Sequence, residues 1–115
     1  MDFFFPQDEL QRLPPEETRI ESLEAAPYPD GQRLRVNLHL TPFQVRPYIE
    51  LTLMDGNGDE VAAASVVEPM NWKLELTLHL RGASVNPFTL VARLFYPDGP
   101  QAPPVSRVLD VHPQL

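Results

Sequence analysis

The chain has 115 residues, of which 43% are hydrophobic and 22% are charged, a composition typical of one folded domain and unlike that of a disordered chain. Sixteen acidic residues against nine basic ones give a formal net charge of -7, so neither a nucleic acid nor an anionic membrane surface is an expected partner. The absence of cysteine excludes disulfides and thiolate chemistry.

Residues 1–17 are predicted to form an N-terminal arm, and residues 18–115 a single domain. The start, MDFFFP, lacks the basic segment and long apolar run of a secretory signal, and no stretch is long and apolar enough to predict a membrane span. If Met1 is the native start, the expected location is the cytoplasm. Phe3, Phe4 and Phe5 lie outside the strand pattern, and burying each would contribute about 2 kcal/mol. We expect these rings to pack on their own domain or on another subunit or partner.

From Thr18 onward, apolar and polar residues alternate, which predicts short strands with one buried face. The alternation is clearest in residues 33–41 (RLRVNLHLT) and 72–80 (WKLELTLHL). Further strands are predicted at residues 19–26, 48–54, 60–67, 88–96 and 105–112. Most of the fourteen prolines fall between these segments, as expected for stiffened loops.

Seven short strands with turn signals about every ten residues predict an all-β, antiparallel two-sheet sandwich. The segment 72–99, in which a Trp-led strand precedes NPFTLVARLFYPDG, resembles part of bacterial immunoglobulin-like and fibronectin-III-like modules. The resemblance implies an immunoglobulin-like scaffold of the kind that serves adhesion, spacing or partner binding. The chain departs from these families because it has no cysteine pair, Trp72 opens the fifth strand, and Tyr96 ends the sixth, where no tyrosine corner is expected.

The segment DGNGDE, residues 55–60, suggests a calcium loop. Asp55, Asn57 and Asp59 occupy positions one, three and five of an EF-hand pattern, but Glu60 replaces its glycine and strands flank it. The alternative is a tight hairpin in which Asn57-Gly58 supplies the positive φ. We favour the hairpin, and expect no metal or cofactor.

Three histidines, His39, His79 and His112, raise a second metal hypothesis. His39 and His79 lie on polar faces of strands predicted to be neighbours, so they could be close, but no acidic residue is spaced to complete a site. The chain has no G-x-S-x-G nucleophile motif and no glycine-rich phosphate loop before a helix. We therefore expect no enzymatic activity.

The immunoglobulin-like topology would bring three proline-bounded loops, residues 41–47, 68–71 and 97–104, to one end of the sandwich. They offer Phe43, Val45 and Met70 as apolar tips, and rigid loops lose little entropy on binding. This end is the predicted recognition surface, unless the prolines only stiffen the sandwich. The expected function is a non-enzymatic interaction or accessory module that binds a protein partner or self-associates through the arm or an exposed edge strand. The alternative is a small calcium- or ligand-binding module.

The segment YPDG occurs at residues 28–31 and again at residues 96–99. The first copy predicts a tight hairpin loop with Gly31 in a left-handed conformation. In the second copy, Pro100 biases Gly99 toward extended geometry, so a looser loop is predicted at the opposite end of the sandwich.

Overall fold

The computed structural model describes residues 11–81 and 85–112, so Phe3, Phe4 and Phe5 lie outside the described residues. Within these ranges, one 3₁₀ turn at Pro15–Glu17 precedes seven strands. The strands are β1 (Ile20–Pro27), β2 (Arg33–Leu40), β3 (Tyr48–Met54), β4 (Glu60–Val67), β5 (Lys73–His79), β6 (Phe88–Phe95) and β7 (Val105–Leu109). The all-β prediction is confirmed, and the largest difference in strand length is at β7, which ends at Leu109 and not at residue 112.

The strands form two antiparallel sheets, one with the order β1-β2-β5 and the other with the order β4-β3-β6-β7. The predicted pairing of β2 with β5 is confirmed. The described residues include no helix long and apolar enough to cross a membrane.

One aliphatic core lies between the sheets because each long strand turns its apolar series inward. Leu34, Val36 and Leu38 of β2 have no exposed surface, and Leu51 and Leu53 of β3 are at most 1% exposed. A fully buried side chain of this size contributes about 2 kcal/mol relative to an exposed one, so the alternation is enough to select the inner face of each strand.

The two YPDG segments form different turns, as predicted, but the expectation that the second is looser is wrong. The N–H of Tyr28 donates to the carbonyl of Arg33, five residues on, whereas the N–H of Tyr96 donates to the carbonyl of Pro100, four residues on. In the first copy, the N–H of Gly31 donates to the carbonyl of Tyr28 at 3.0 Å, and Gly31 has a φ of 69°. In the second copy, the N–H of Gly99 donates to the carbonyl of Tyr96 at 2.9 Å, but the left-handed residue is Asp98, with a φ of 60°. The same letters therefore place the left-handed backbone one position apart.

The chain after β7 is held at the end of the sandwich where β5 connects to β6. The side chain of Asn86 accepts a hydrogen bond from the N–H of Val111 at 2.8 Å and donates one to its carbonyl at 3.0 Å. The β3–β4 hairpin contacts the same connection, since the N–H of Gly56 donates to the carbonyl of Val85.

Candidate functional site

The outer faces of the two sheets carry different side chains. The outward residues of the three-stranded sheet include Arg33, Arg35, His39, Lys73, Glu75 and His79. Those of the four-stranded sheet are Glu60, Ala63, Ser65 and Val67 of β4, Tyr48, Glu50, Thr52 and Met54 of β3, Thr89, Val91, Arg93 and Phe95 of β6, and Ser106 and Val108 of β7. Within that second set only Glu50, Glu60 and Arg93 are charged, so this outer face carries less charge than the other.

Val67, Tyr48 and Phe95 form one row across three neighbouring strands, called here the apolar row. Tyr48 is the register partner of Val67 on one side and of Phe95 on the other. The rings of Tyr48 and Phe95 pack with centroids 5.7 Å apart, and Val67 is 56% exposed. The row therefore presents a preformed aromatic pair beside an exposed aliphatic side chain.

A depression of about 190 Å³ adjoins the apolar row. Its lining consists of Glu50, Arg93, Leu94, Phe95, Gln101, Ala102 and Pro104. Glu50 and Arg93 are register partners, but neither has an ion-pair partner within 4.0 Å among the described residues. Two exposed charges of opposite sign thus border an otherwise mostly uncharged surface.

The three loops predicted to meet at one end do so; we call this the loop end, formed by residues 41–47, 68–72 and 96–104. The N–H of Glu68 donates to the carbonyl of Pro47 at 3.0 Å, and Arg46 Nη1 lies 3.0 Å from Met70 Sδ. These contacts link the first loop to the second. The apolar row lies directly beside them, since Val67 and Tyr48 adjoin the two loops in sequence.

The three predicted loop tips differ in how far they are exposed. Val45 is 50% exposed and Met70 is 78% exposed, so both are accessible to a partner. Phe43 is only 5% exposed, and the expectation that it forms an exposed tip is wrong. Its ring packs edge-on against Trp72, with centroids 6.1 Å apart, because it fills the space between two loops.

The segment before β1 packs on the loop end. The N–H of Leu13 donates to the carbonyl of Pro42, and the carbonyl of Leu13 accepts from the N–H of Gln44, both at 2.9 Å. The guanidinium of Arg12 lies 5.6 Å from the centre of the Trp72 ring. This described part of the predicted arm therefore contacts its own domain and covers Phe43.

Tyr96 is a structural residue of this end that the sequence interpretation missed. It is 8% exposed, and its hydroxyl donates to the carbonyl of Val45 at 2.7 Å. Burial raises the pKa of Tyr96, and the nearby Glu16 carboxylate raises it further, although the Thr18 hydroxyl acts in the opposite direction. The signal was available, because Tyr96 continues the inward series of β6, and a buried phenol needs a hydrogen-bond partner.

The segment DGNGDE forms the β3–β4 hairpin. Asp55 is 7% exposed, and its Oδ1 accepts from the N–H of Asn57 at 2.9 Å and from the N–H of Asp59 at 3.1 Å. Gly58 supplies the positive φ, at 83°. This Asp55 oxygen is thus already used by the turn, and no group of three potential metal-binding side chains occurs among the described residues.

His39 and His79 are not close, so the expectation that they could be is wrong. His39 is opposite Lys73, and His79 is opposite Arg33. Since β2 and β5 are antiparallel, the two histidines lie at opposite ends of the ladder, about 20 Å apart along the strands.

Comparison with known proteins does not assign the chain: no family model matches it, and no curated protein is significantly similar to it. The functional argument therefore depends on the surfaces described above.

Proposed function

We propose that the protein is a non-enzymatic protein-interaction module that binds a partner through the apolar row and the adjoining loop end. The observation that carries the proposal is the contrast between the two outer faces. One face is charged and polar, as a solvated surface is, whereas the other presents a mostly uncharged surface with an aromatic pair.

The arrangement of side chains agrees with the usual anatomy of protein interfaces. Interface centres are enriched in aromatic residues and methionine and depleted in charge, while the rim is polar. Here the apolar row and Met70 would form the centre, and the rim would consist of Arg46, Glu50 and Arg93, all of which are exposed.

The loop end is also braced against movement, which favours binding. The hydroxyl of Tyr96 holds the carbonyl of Val45 by a hydrogen bond, and Leu13 forms two backbone hydrogen bonds to the loop that carries Phe43. A surface that is ordered before binding loses little conformational entropy on association. The exposed side chains of Val45 and Met70 are therefore presented at low entropic cost.

Kinship with immunoglobulin-like or fibronectin-III-like modules is part of the proposal. The two-sheet, seven-strand architecture supports it. The chain differs from the constant-type immunoglobulin order, in which the fourth strand joins the sheet of the first, second and fifth, because here β4 pairs with β3.

Site-specific photocrosslinking in the native host would test the proposed surface. A benzophenone amino acid at position 70, at the loop end, should form covalent adducts with a protein other than this chain. The matched control carries the same group at position 75, on the charged outer face, and should form few such adducts. Equal foreign adducts at the two positions, or none at position 70, would contradict the proposal.

A further inference from the structure

Among the four edge strands, β4 is the least protected against pairing with another chain. Natural edges are blunted by shortness, proline or charge. The strand β7 has only five residues and follows two prolines, β5 carries lysine, glutamate and histidine, and β1 has a register shift and ends at Pro27. By contrast, β4 (EVAAASVV) has eight residues, no proline and no charge beyond its first residue, Glu60.

The hydrogen-bond pattern identifies which backbone groups of β4 point away from β3. The Glu68 N–H donates to the Pro47 carbonyl, one step beyond the opposed residues Tyr48 and Val67. Because bonded and non-bonded pairs alternate in an antiparallel ladder, Val67 belongs to a non-bonded pair, and so do the residues two and four positions before it. The N–H and C=O groups of Ala63, Ser65 and Val67 therefore face outward.

The outward edge has a defined length and centre. Toward the start of β4, the carbonyl of Val61 already accepts from the N–H of Arg81 at 3.0 Å. Toward its end, Glu68 has a φ of 51°, which turns the chain out of the strand. Within the described ranges, no other group bonds to the outward backbone of residues 63–67, and Ser65 is the midpoint of that segment.

We propose that β4 pairs antiparallel with β4 of a second copy of this chain, with the two Ser65 residues opposite each other on a two-fold axis. In this register, Ala63 of each copy is opposite Val67 of the other. Every outward N–H of residues 63, 65 and 67 then meets an outward carbonyl, as a self-complementary interface requires. The proposal goes beyond the proposed function and depends only on the β4 edge.

Side-chain size and charge favour a second copy as the occupant. Ala63 and Ser65 are small and exposed, so two strands can approach without crowding near the axis. The two-fold places the Glu60 end of one copy beside the loop end of the other, where Arg46 lies against Met70. Among the described residues, Arg46 has no carboxylate within 4.0 Å, whereas Glu60 lies 3.8 Å from Arg81 of its own chain. Glu60 would therefore have a second arginine nearby at each end of the interface.

The chain has no cysteine, so single cysteines report the register directly. Bonded partners in an antiparallel ladder have Cα atoms about 5.5 Å apart, within the range that a disulfide spans. A full-length Ser65→Cys variant should therefore form a disulfide-linked dimer on mild oxidation. In Ala63→Cys, the two cysteines would be about 13 Å apart along the strands and should not link. Equal linking in both variants, or none in Ser65→Cys, would overturn the proposal.

Light scattering over a concentration series gives the second test. The unmodified chain should approach twice its 13.0 kDa mass at high concentration. Ser65→Pro removes an N–H that β3 does not use, which an edge strand tolerates, so this variant should stay at the monomer mass, whereas Ser65→Thr should still dimerise. Circular dichroism shows whether each variant is folded. If Ser65→Pro does not fold, the comparison of Ser65→Cys with Ala63→Cys decides. A chain that is monomeric at all concentrations would overturn the proposal.

Two further outcomes separate the possible explanations. Replacing Phe3, Phe4 and Phe5 together by serine should leave the dimer intact; if that variant is monomeric while Ser65→Pro is dimeric, the arm and not the β4 edge joins the copies. Adducts from position 70 that contain only a second copy would contradict binding of a foreign partner, yet leave the β4 dimer standing. Foreign adducts from position 70, with no disulfide-linked dimer in Ser65→Cys, would support binding of a foreign partner and contradict the β4 dimer.

Discussion

The hydroxyl of Tyr96 donates a hydrogen bond to the backbone carbonyl of Val45, 51 residues earlier in the chain, over 2.7 Å. The same hydroxyl lies 3.3 Å from Thr18 Oγ1, which in turn donates to the carbonyl of Pro14. One phenol therefore joins the end of β6, the β2–β3 loop and the segment before β1. This contact orders the side of the loop end that presents Val45.

Replacing Tyr96 by phenylalanine should destabilise the protein by about 1 to 2 kcal/mol, because the carbonyl of Val45 loses its donor in a largely dry position. Urea unfolding followed by circular dichroism measures the loss. Tyr48→Phe is the matched control, since no hydrogen bond of its hydroxyl is found among the described residues, and it should change the free energy of unfolding by less than about 0.5 kcal/mol. Equal losses would contradict the assigned role of the Tyr96 hydroxyl.

The raised pKa of Tyr96 predicts a loss of stability at alkaline pH. An unfolded tyrosine ionises near pH 10, whereas burial keeps Tyr96 protonated above that value in the folded chain. The unfolded state then binds fewer protons, so the free energy of unfolding falls as the pH rises above about 10. Urea midpoints measured on either side of this pH should fall further for the unmodified chain than for Tyr96→Phe. Identical slopes would argue against an effect of this phenol.

The two YPDG turns predict opposite effects of one substitution. Asp98 has a φ of 60°, where glycine has no steric penalty. Glycine also raises the conformational entropy of the unfolded chain, which offsets part of this gain, so Asp98→Gly should stabilise the protein by about 0.5 kcal/mol. Asp30→Gly should destabilise it, because Asp30 accepts from the N–H of Gln32 and pairs with Arg33, both at 2.8 Å. Thermal melts of the two variants should shift in opposite directions.

The hairpin role of Asp55 predicts a loss of stability and no calcium dependence. Asp55→Ala removes two hydrogen bonds to backbone N–H groups and should cost about 1 to 2 kcal/mol, whereas Asp59→Ala, at an exposed position, should cost little. Calorimetric titration of the unmodified chain with calcium should give no saturable heat. A saturable signal that Asp55→Ala abolishes would instead support the calcium-binding alternative.

The alternation of apolar and polar residues was sufficient to predict the strands, because burial of one face decides the register of each strand. Strand β3, for example, has the predicted limits, Tyr48 and Met54. Turn chemistry was also readable where one residue decides the geometry, as at Gly31 and Gly58, which both have positive φ.

Contacts between distant segments could not be predicted in this way. The separation of His39 from His79 is an exception, since each lies near the end of its strand and the two strands were predicted to be antiparallel neighbours. The burial of Phe43, however, depends on where Leu13 returns to the loop. The apolar row was missed for a related reason. Its members occupy the outward positions of their strands and become one surface only when three strands align.

The two ends of the sandwich hold opposite parts of the chain. Leu13 is bonded at the loop end, whereas Val111 is held by Asn86 at the other end. A tether or fluorescent label attached beyond Val111 would therefore project away from Val45 and Met70, while one attached ahead of Leu13 would crowd them. Immobilisation for binding measurements should accordingly use the C-terminal side of the chain.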